Sequence, residues 1–284
     1  MLMKNKVVIV SGIGPGLGVE LALLAAHEGA QAVVLAARTA AKLSDAAQQI
    51  AALNLGAQTL EVVTDISKAE DCKNLIEKTV AAFGRVDALI NSAYIPGKFG
   101  TWERWDFDDW RKAMDVNLYG SLMLSREAAK VMKNQTERGA IVMVNSMSTK
   151  KIVGAQAGYA TSKAALATAT KALAMELAPL GIRVNSCFMG WMWGASVKGY
   201  VDGVAAQTGA DPAAVKKGIE KDIPMGEMPT DAECAKGCMF LVSDYAKVIT
   251  GAALGYERRR IHVDGLITQK YKRKSYALHN GHGA

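Results

Sequence analysis

The sequence predicts an α/β fold built on one doubly wound parallel sheet, and three observations carry that expectation. Short apolar runs of strand length alternate with longer amphipathic or alanine-rich stretches along most of the chain. Strands that are apolar throughout are buried on both faces, as in a parallel sheet covered by helices on each side. No Pro/Gly/Ser-rich linker and no internal repeat breaks the rhythm, so a single domain is expected over residues 1–268, followed by a basic tail over 269–284.

The elements follow in order. Residues 6–11 are the first strand, around the apolar run Val7 to Val10, and a glycine-rich loop leads into a helix over 16–28. Strands at 32–36, 59–64, 88–91, 140–145 and 183–187 alternate with helices at 40–53, 68–83, 107–133 and 159–178. Residues 195–222 read as helical where a further strand would otherwise fall, with turn signals from Thr208 to Pro212, and are taken as an inserted helical flap. Two segments compete for the last strand, 251–254 and 261–265, with an apparent insertion between them, and the register stays open.

Composition narrows the function. Half of the 284 residues are hydrophobic and 21% are charged, which excludes a disordered or fibrous chain. Of 34 Lys and Arg against 27 Asp and Glu, seven basic and two acidic residues lie from Ala252 onward, leaving 27 against 25 before it. The body is therefore nearly neutral, whereas a nucleic-acid or anionic-membrane protein carries its basic stripe on the folded surface. The tail reads as a frayed terminus. Cys72, Cys187, Cys234 and Cys238 are too few and too irregular for a disulfide framework or a metal site. They read as free, buried thiols of a reducing compartment. With Lys4 and Lys6 leading directly into a short apolar strand, the expectation is a cytoplasmic protein without a signal peptide or membrane span.

In open parallel sheets, ligands bind at the carboxyl ends of the strands, and the motifs of this chain gather there. The first strand ends in Ser11-Gly-Ile-Gly-Pro-Gly-Leu-Gly18 before a helix begins. Glycines let the backbone turn and approach a diphosphate, whose charge meets the amides and dipole of the helix start. Gly12, Gly14, Gly16, Leu17 and Gly18 are the candidate phosphate-binding residues, spaced GxxxGxG. At the end of the second strand a carboxylate would grip the ribose of NAD, whereas arginine suits the 2′-phosphate of NADP. Ala37 stands at the first place and Arg38 follows, so NADP is favoured, with NAD possible. Pro15 fills a loop position that often supplies a second positive charge.

Tyr159-Ala-Thr-Ser-Lys163 opens an alanine-rich helix, which sets a phenol and an ammonium four apart on one face. Tyr94 and Lys98 share the spacing, but Pro96 and Gly97 make a turn there, so this second pair is read as a decoy. Thirteen residues before Tyr159 stands Ser146, directly after a strand; thirteen before Tyr94 stands Ala81.

With these residues in place the chain resembles the classical short-chain dehydrogenase/reductase family from Lys6 to about Gly251. The matches are the Gly12/Gly16/Gly18 loop, Asp65 after the third strand, Asn91-Ser-Ala-Tyr94 in place of Asn-Asn-Ala-Gly, Asn117, Ser146, Tyr159 and Lys163. The resemblance implies a Rossmann-type domain, dimeric or tetrameric, that moves hydride between a nicotinamide cofactor and an alcohol or carbonyl. It implies Tyr159 as acid/base, Ser146 on the substrate oxygen, Lys163 on the nicotinamide ribose, and Asn117 holding a water that relays protons to Lys163. Asp65 and Ile66 would border the adenine, Asn91 and Ala93 the adenosine ribose, and the Met192 backbone the carboxamide. Tyr94 replaces the usual glycine and would narrow the cofactor channel or enter the substrate pocket. Where the family often shows Pro-Gly and, four residues later, Thr, this chain has Met189-Gly190 and Gly194, so the threonine contact is lost.

Reducing a carbonyl needs a proton donor within hydrogen-bond reach. Bringing a phenol from about 10 to about 7 takes roughly 4 kcal/mol of preference for phenolate, which Lys163 and an oxidised nicotinamide would supply. All five tryptophans fall at two places, Trp102, Trp105 and Trp110 after the fourth strand and Trp191 and Trp193 after the sixth. Both flank the expected site, which points to a bulky, hydrophobic alcohol or ketone, with packing roles as the alternative. Lys150 and Lys151 would attract an acidic group or simply be surface charges. The alternatives for the chain are an NAD-dependent alcohol dehydrogenase of a catabolic pathway, or a non-catalytic dinucleotide-sensing or scaffold protein, whose mark would be a broken catalytic set. Neither nucleic acid nor metal is expected as a partner.

Overall fold

The structure, a computed structural model, describes residues 1–256 apart from Val153. The basic tail and the 261–265 alternative for the last strand therefore lie outside the described residues. Seven parallel strands are β1 (Val7–Ser11), β2 (Ala32–Ala37), β3 (Gln58–Val63), β4 (Ala88–Asn91), β5 (Ala140–Ser146), β6 (Arg183–Met189) and β7 (Ala253–Tyr256). They run in the order β3-β2-β1-β4-β5-β6-β7. The order reverses between β1 and β4, where Ser11 pairs with Asn91, so a crevice opens at the carboxyl ends of these two strands.

The helices fall on both faces. On one, α1 (Leu17–His27), α2 (Ala40–Ala52) and α9 (Asp231–Val242) bury Leu21, Leu43, Ile50, Cys238 and Leu241 against Val8, Val10 and Leu35. On the other, α3 (Ala69–Phe83), α5 (Ser121–Met132) and α6 (Ala157–Leu177) bury Leu75, Leu124 and Leu166 against Val7, Ile9 and Ile141. Alternate residues of β1 thus enter opposite cores, the period-two consequence of a strand covered on both faces. The flap forms as two helices, α7 (Ala195–Thr208) and α8 (Pro212–Glu220).

Three departures from the sequence reading have physical causes. Residues 107–133 are not one regular helix: α4 (Phe107–Met114) passes into a π-helical turn, Asp115–Gly120, before α5. Gly120 packs there directly on Ile66, and a Cβ would come within 2.8 Å of the Ile66 carbonyl oxygen. β3 is an edge strand and largely exposed, with Val62 buried. Helix α9 fills the stretch after the flap, and its start carries a capping box in which Thr230 and Glu233 bond each other's backbone amides. Among the described residues the final strand is β7, set in register from Ser186–Ala253 to Met189–Tyr256.

Candidate active site

Strand β5 delivers Ser146 to the crevice, and helix α6 begins close by with Tyr159 in its first turn. Asn145 Oδ1 accepts the Ser146 amide at 2.9 Å, and Ser146 Oγ accepts the Ser148 amide at 3.1 Å, which fixes the serine. The Ser146 hydroxyl lies close enough to the Tyr159 phenol to favour its ionised form. One turn further along α6, Lys163 is 3% exposed and its Nζ donates to the Val144 carbonyl at 2.8 Å. Ser146, Tyr159 and Lys163 are therefore together at the carboxyl end of β5.

Burial governs the electrostatics. It pushes the Tyr159 phenol up to about 12, against the opposing pull of Ser146 and with a small repulsion from Tyr94. It pushes Lys163 down to about 7. A charge withdrawn from water is disfavoured whichever its sign, so the phenol holds its proton and the amine readily gives one up. The lowering expected from the sequence draws on an oxidised nicotinamide as well as Lys163; the chain's own groups act in the other direction, because burial is the largest influence on the phenol.

Tyr94 and Lys98 part company, as a decoy pair should, and Tyr94 lies beside the candidate site. Lys98 does turn away, pairing with Asp106 at 2.7 Å. The Tyr94 ring, however, lies 6.0 Å from the Tyr159 ring, with Lys163 Nζ 5.8 Å from its centre. Asn117, in the π-helical turn, holds this loop: its Oδ1 accepts the Ile95 amide at 2.8 Å, and its Nδ2 donates to the Ile95 carbonyl and to Ser162 Oγ. Its side chain is thus engaged by the protein itself, and it steadies the segment that carries Tyr94.

The first strand's loop is shaped for close approach. A Cβ on Gly12 would collide with the Ala93 backbone, and one on Gly18 with the Gly12 carbonyl, so both glycines are needed for packing. Gly14 is different: a Cβ there would meet nothing nearer than the Lys42 side chain at 3.8 Å. Gly16, at φ 112°, starts α1 without a side-chain cap, leaving its amides to an outside acceptor. Beside the loop, Ser11 Oγ and Asn91 Oδ1 are buried without a partner among the described residues, although Asn91 Nδ2 donates to Ser125. Open space at Gly14, uncapped amides and orphaned oxygens at the strand-order reversal fit a dinucleotide.

The other expected cofactor residues surround this loop. Arg38 is exposed just past β2, and its charge, after two hydrogen bonds from Ser67, helps hold the Asp65 carboxyl below its usual value despite some burial. Ile66 is buried beneath Gly120. Met192 packs on the core, and its carbonyl accepts the Gly194 amide at 2.9 Å. Leu17 is buried in the same core, so only its backbone faces the loop. Lys42 of α2, which the sequence reading passed over, brings its Nζ to 3.9 Å from a Cβ position on Gly14.

Around the crevice, Trp110 packs on Gly158 and Trp105, while Trp102 is 73% exposed. Trp191 stacks on Tyr200 of the flap, and Trp193 lies under Lys198 and Lys216. Lys151 pairs with Asp222 at 3.0 Å, a surface role. All four cysteines are buried and none is in a disulfide. Among the described residues no helix is long and apolar enough to cross a membrane, and no cluster of His, Cys, Asp and Glu could hold a metal.

A family profile described as enoyl-(acyl carrier protein) reductase matches residues 12–258. The 3-oxoacyl-(acyl-carrier-protein) reductase of Staphylococcus epidermidis is 31% identical over 266 residues, covering 92% of this chain and 98% of that protein. Among solved structures, NAD-bound xylitol dehydrogenase superposes with a TM-score of 0.83 at 27% identity, covering 90% of this chain and 99% of the other. An actinorhodin polyketide ketoreductase variant with NADPH gives 0.81 at 25% identity, covering 89% and 95%.

Proposed function

The chain belongs to the short-chain dehydrogenase/reductase family of oxidoreductases, and from that premise we propose that it moves hydride between NADP(H) and a bulky, hydrophobic secondary alcohol or its ketone. The observation that carries this reading is the meeting of Ser146, Tyr159 and Lys163 beside a glycine loop with uncapped helix amides.

When bound, the nicotinamide supplies or accepts the hydride. The chain's own part is to manage the oxygen and its proton. In reduction Tyr159 donates its phenolic proton to the carbonyl oxygen, while the Ser146 hydroxyl supports the charge that develops there. A phenol held near about 12 is fully protonated at neutral pH, which suits this direction. Lys163, near about 7, is poised to return a proton to the phenol. Asn117 contributes by holding Ile95 and so the ring of Tyr94 against this pair.

Arg38, exposed just past β2, supports NADP over NAD, and Lys42 of α2, whose side chain lies beside Gly14, adds a second cation to the same end of the sheet. Trp191, Trp193 and Tyr200 on and before the flap support an apolar substrate.

The test is a panel of alkyl and aryl ketones with NADPH and NADH, followed by the absorbance of the reduced cofactor. Turnover is expected with NADPH in preference. Tyr159→Phe is expected to lose about a thousandfold in kcat, in the usual range for removing a general acid, with the cofactor Kd nearly unchanged. Arg38→Glu is expected to weaken NADPH far more than NADH. Retained turnover in the Phe variant would remove Tyr159 from the chemistry, and equal losses for the two cofactors would remove the preference.

A further inference from the structure

Tyr94 lies in the loop after β4, at a point held from the next residue by the bonds of Asn117 to the Ile95 backbone. Its ring lies against two side chains of α6, 6.0 Å from the Tyr159 ring and 5.8 Å from Lys163 Nζ, centre to atom. Tyr94 is 48% exposed, whereas Lys163 is 3% exposed. The ring is therefore a layer with water on one side and the amine on the other. Beneath it, Lys163 Nζ donates to the Val144 carbonyl at 2.8 Å, although an ammonium carries three donors.

A ring face acts on such a group in two opposed ways. Its quadrupole attracts the cation, which favours the charged form, and its bulk keeps water off, which favours the neutral form. Here exclusion is the larger effect, because Lys163 sits at about 7 with burial as the cause. The side chains around it are the phenols of Tyr94 and Tyr159 with Ser146 of β5 and Asn117 of the π-helical turn, and no charged side chain shifts it among the described residues. Resting on the reading of Tyr159 as proton donor and Lys163 as its resupply, we propose that Tyr94 is a positioning residue for that relay. Its ring covers the solvent side of the amine, keeps it dry and holds it toward Tyr159. Once the phenol has given its proton to the substrate oxygen, the Lys163 ammonium passes one to the phenolate. The neutral amine regains its proton from solvent before the next turnover. A dry ammonium is the stronger acid, so the ring favours this transfer and also sets the pH above which the amine is empty.

The experiment compares the wild type, Tyr94→Phe and Tyr94→Ala as full chains. Lysine isotope-labelled at Cε is titrated by nuclear magnetic resonance from about pH 6 to pH 10, with Lys163→Met identifying the resonance of Lys163 and the solvated lysines set apart at about 10.4. The Lys163 midpoint is expected at about 7 in the wild type and in Tyr94→Phe, which keeps the ring. In Tyr94→Ala it is expected higher by about one pH unit or more, as water reaches the amine. Ketone reduction needs Lys163 protonated, so the fall of kcat with rising pH should move upward in parallel, while KM changes less. Tyr94→Ala is expected to fold, because the side chain is half exposed and Asn117 holds the loop through the Ile95 backbone. A merely structural role would lower the thermal midpoint and leave the titration in place. An unchanged midpoint in Tyr94→Ala, a Phe variant that behaves like the Ala variant, or a wild-type Lys163 that titrates with the solvated lysines would each overturn the proposal. Failure of the wild type to reduce any ketone, with the midpoints as expected, would instead strike the reading of the reaction and leave the cover over Lys163 in place.

Discussion

At the scale of single residues, the informative contest is between burial and charge. Lys163 is sealed behind Tyr94 and the β5 backbone, and its pKa falls to about 7 from the 10.5 of an open lysine. A group whose folded pKa is depressed in this way binds fewer protons folded than unfolded between those two values. The native state therefore gains stability as pH rises from about 7 toward 10.5, at about 1.4 kcal/mol per unit. Lys163→Met, which keeps the length and removes the charge, is expected to be inactive yet at least as stable as the wild type at pH 7. The margin should shrink steadily toward pH 9, below the range in which Tyr159 titrates in either state. Urea melts at pH 7, 8 and 9 measure this, and parallel curves for the two proteins would show that the buried amine costs the fold nothing. The same burial explains what the sequence could and could not say here. The set Ser146, Tyr159 and Lys163 is legible from spacing and the family resemblance together, but the sign of the Tyr159 shift depends on how dry the pocket is, which neither encodes.

At the scale of elements, the strands were readable because apolar runs bounded by turn residues have few other uses, and six of the seven fall within a residue or two of their sequence positions. The misses are places where one element's form is dictated by another. The π-helical turn at Asp115–Gly120 exists to let Gly120 rest on Ile66 and to bring Asn117 to Ile95, contacts between segments fifty or twenty residues apart. Tyr94 is expected in the cofactor channel or the substrate pocket, but the partner of its ring, Tyr159 of α6, follows only from the tertiary packing. Helix α9 did have a sequence signal, the Thr230-x-x-Glu233 capping box, that went unread. Gly158 tests the most exacting of these contacts. A Cβ there would lie 2.9 Å from Trp110 Cδ1, and the indole is held by Trp105 and Phe107 with ring centres 5.0 and 5.6 Å away. Alanine gains up to about 1 kcal/mol of helix propensity over glycine, whereas overpacking costs about 1–3 kcal/mol. Because the clash is with a braced ring, the second effect should win: Gly158→Ala is expected to lower the thermal midpoint and, through the adjacent Tyr159, to lower kcat. A variant more stable than the wild type would mean that α4 yields freely to α6.

At the scale of the whole molecule, the sheet divides its labour between its two ends. The carboxyl ends of β1, β4 and β5 carry the orphaned oxygens, the glycine loop and Ser146 with Tyr159 and Lys163, while the amino ends are closed by charge. There Asp87 accepts the Val7 amide at 2.8 Å and the Arg85 guanidinium at 2.6 Å, and Glu137 joins Arg85 to Lys6. Gln135 brackets Val86 by accepting its amide and donating to its carbonyl, and Arg183 donates to the Leu241 and Ser243 carbonyls at the end of α9. Satisfied groups of this kind stabilise and do no chemistry, whereas the unsatisfied ones at the other end are what a ligand completes. The division predicts separable effects. Asp87 is 6% exposed, so Asp87→Ala strands the Val7 amide and leaves Arg85 without its buried partner, at a cost of about 3 kcal/mol. The thermal midpoint should fall by several degrees while KM and kcat, measured below the melt, stay within about twofold, because no link in the network reaches Ser146 or Tyr159. A change in KM at unchanged stability would instead mean that the two ends of the sheet communicate through β1, whose Val7 amide is bonded at one end and whose Ser11 hydroxyl waits at the other.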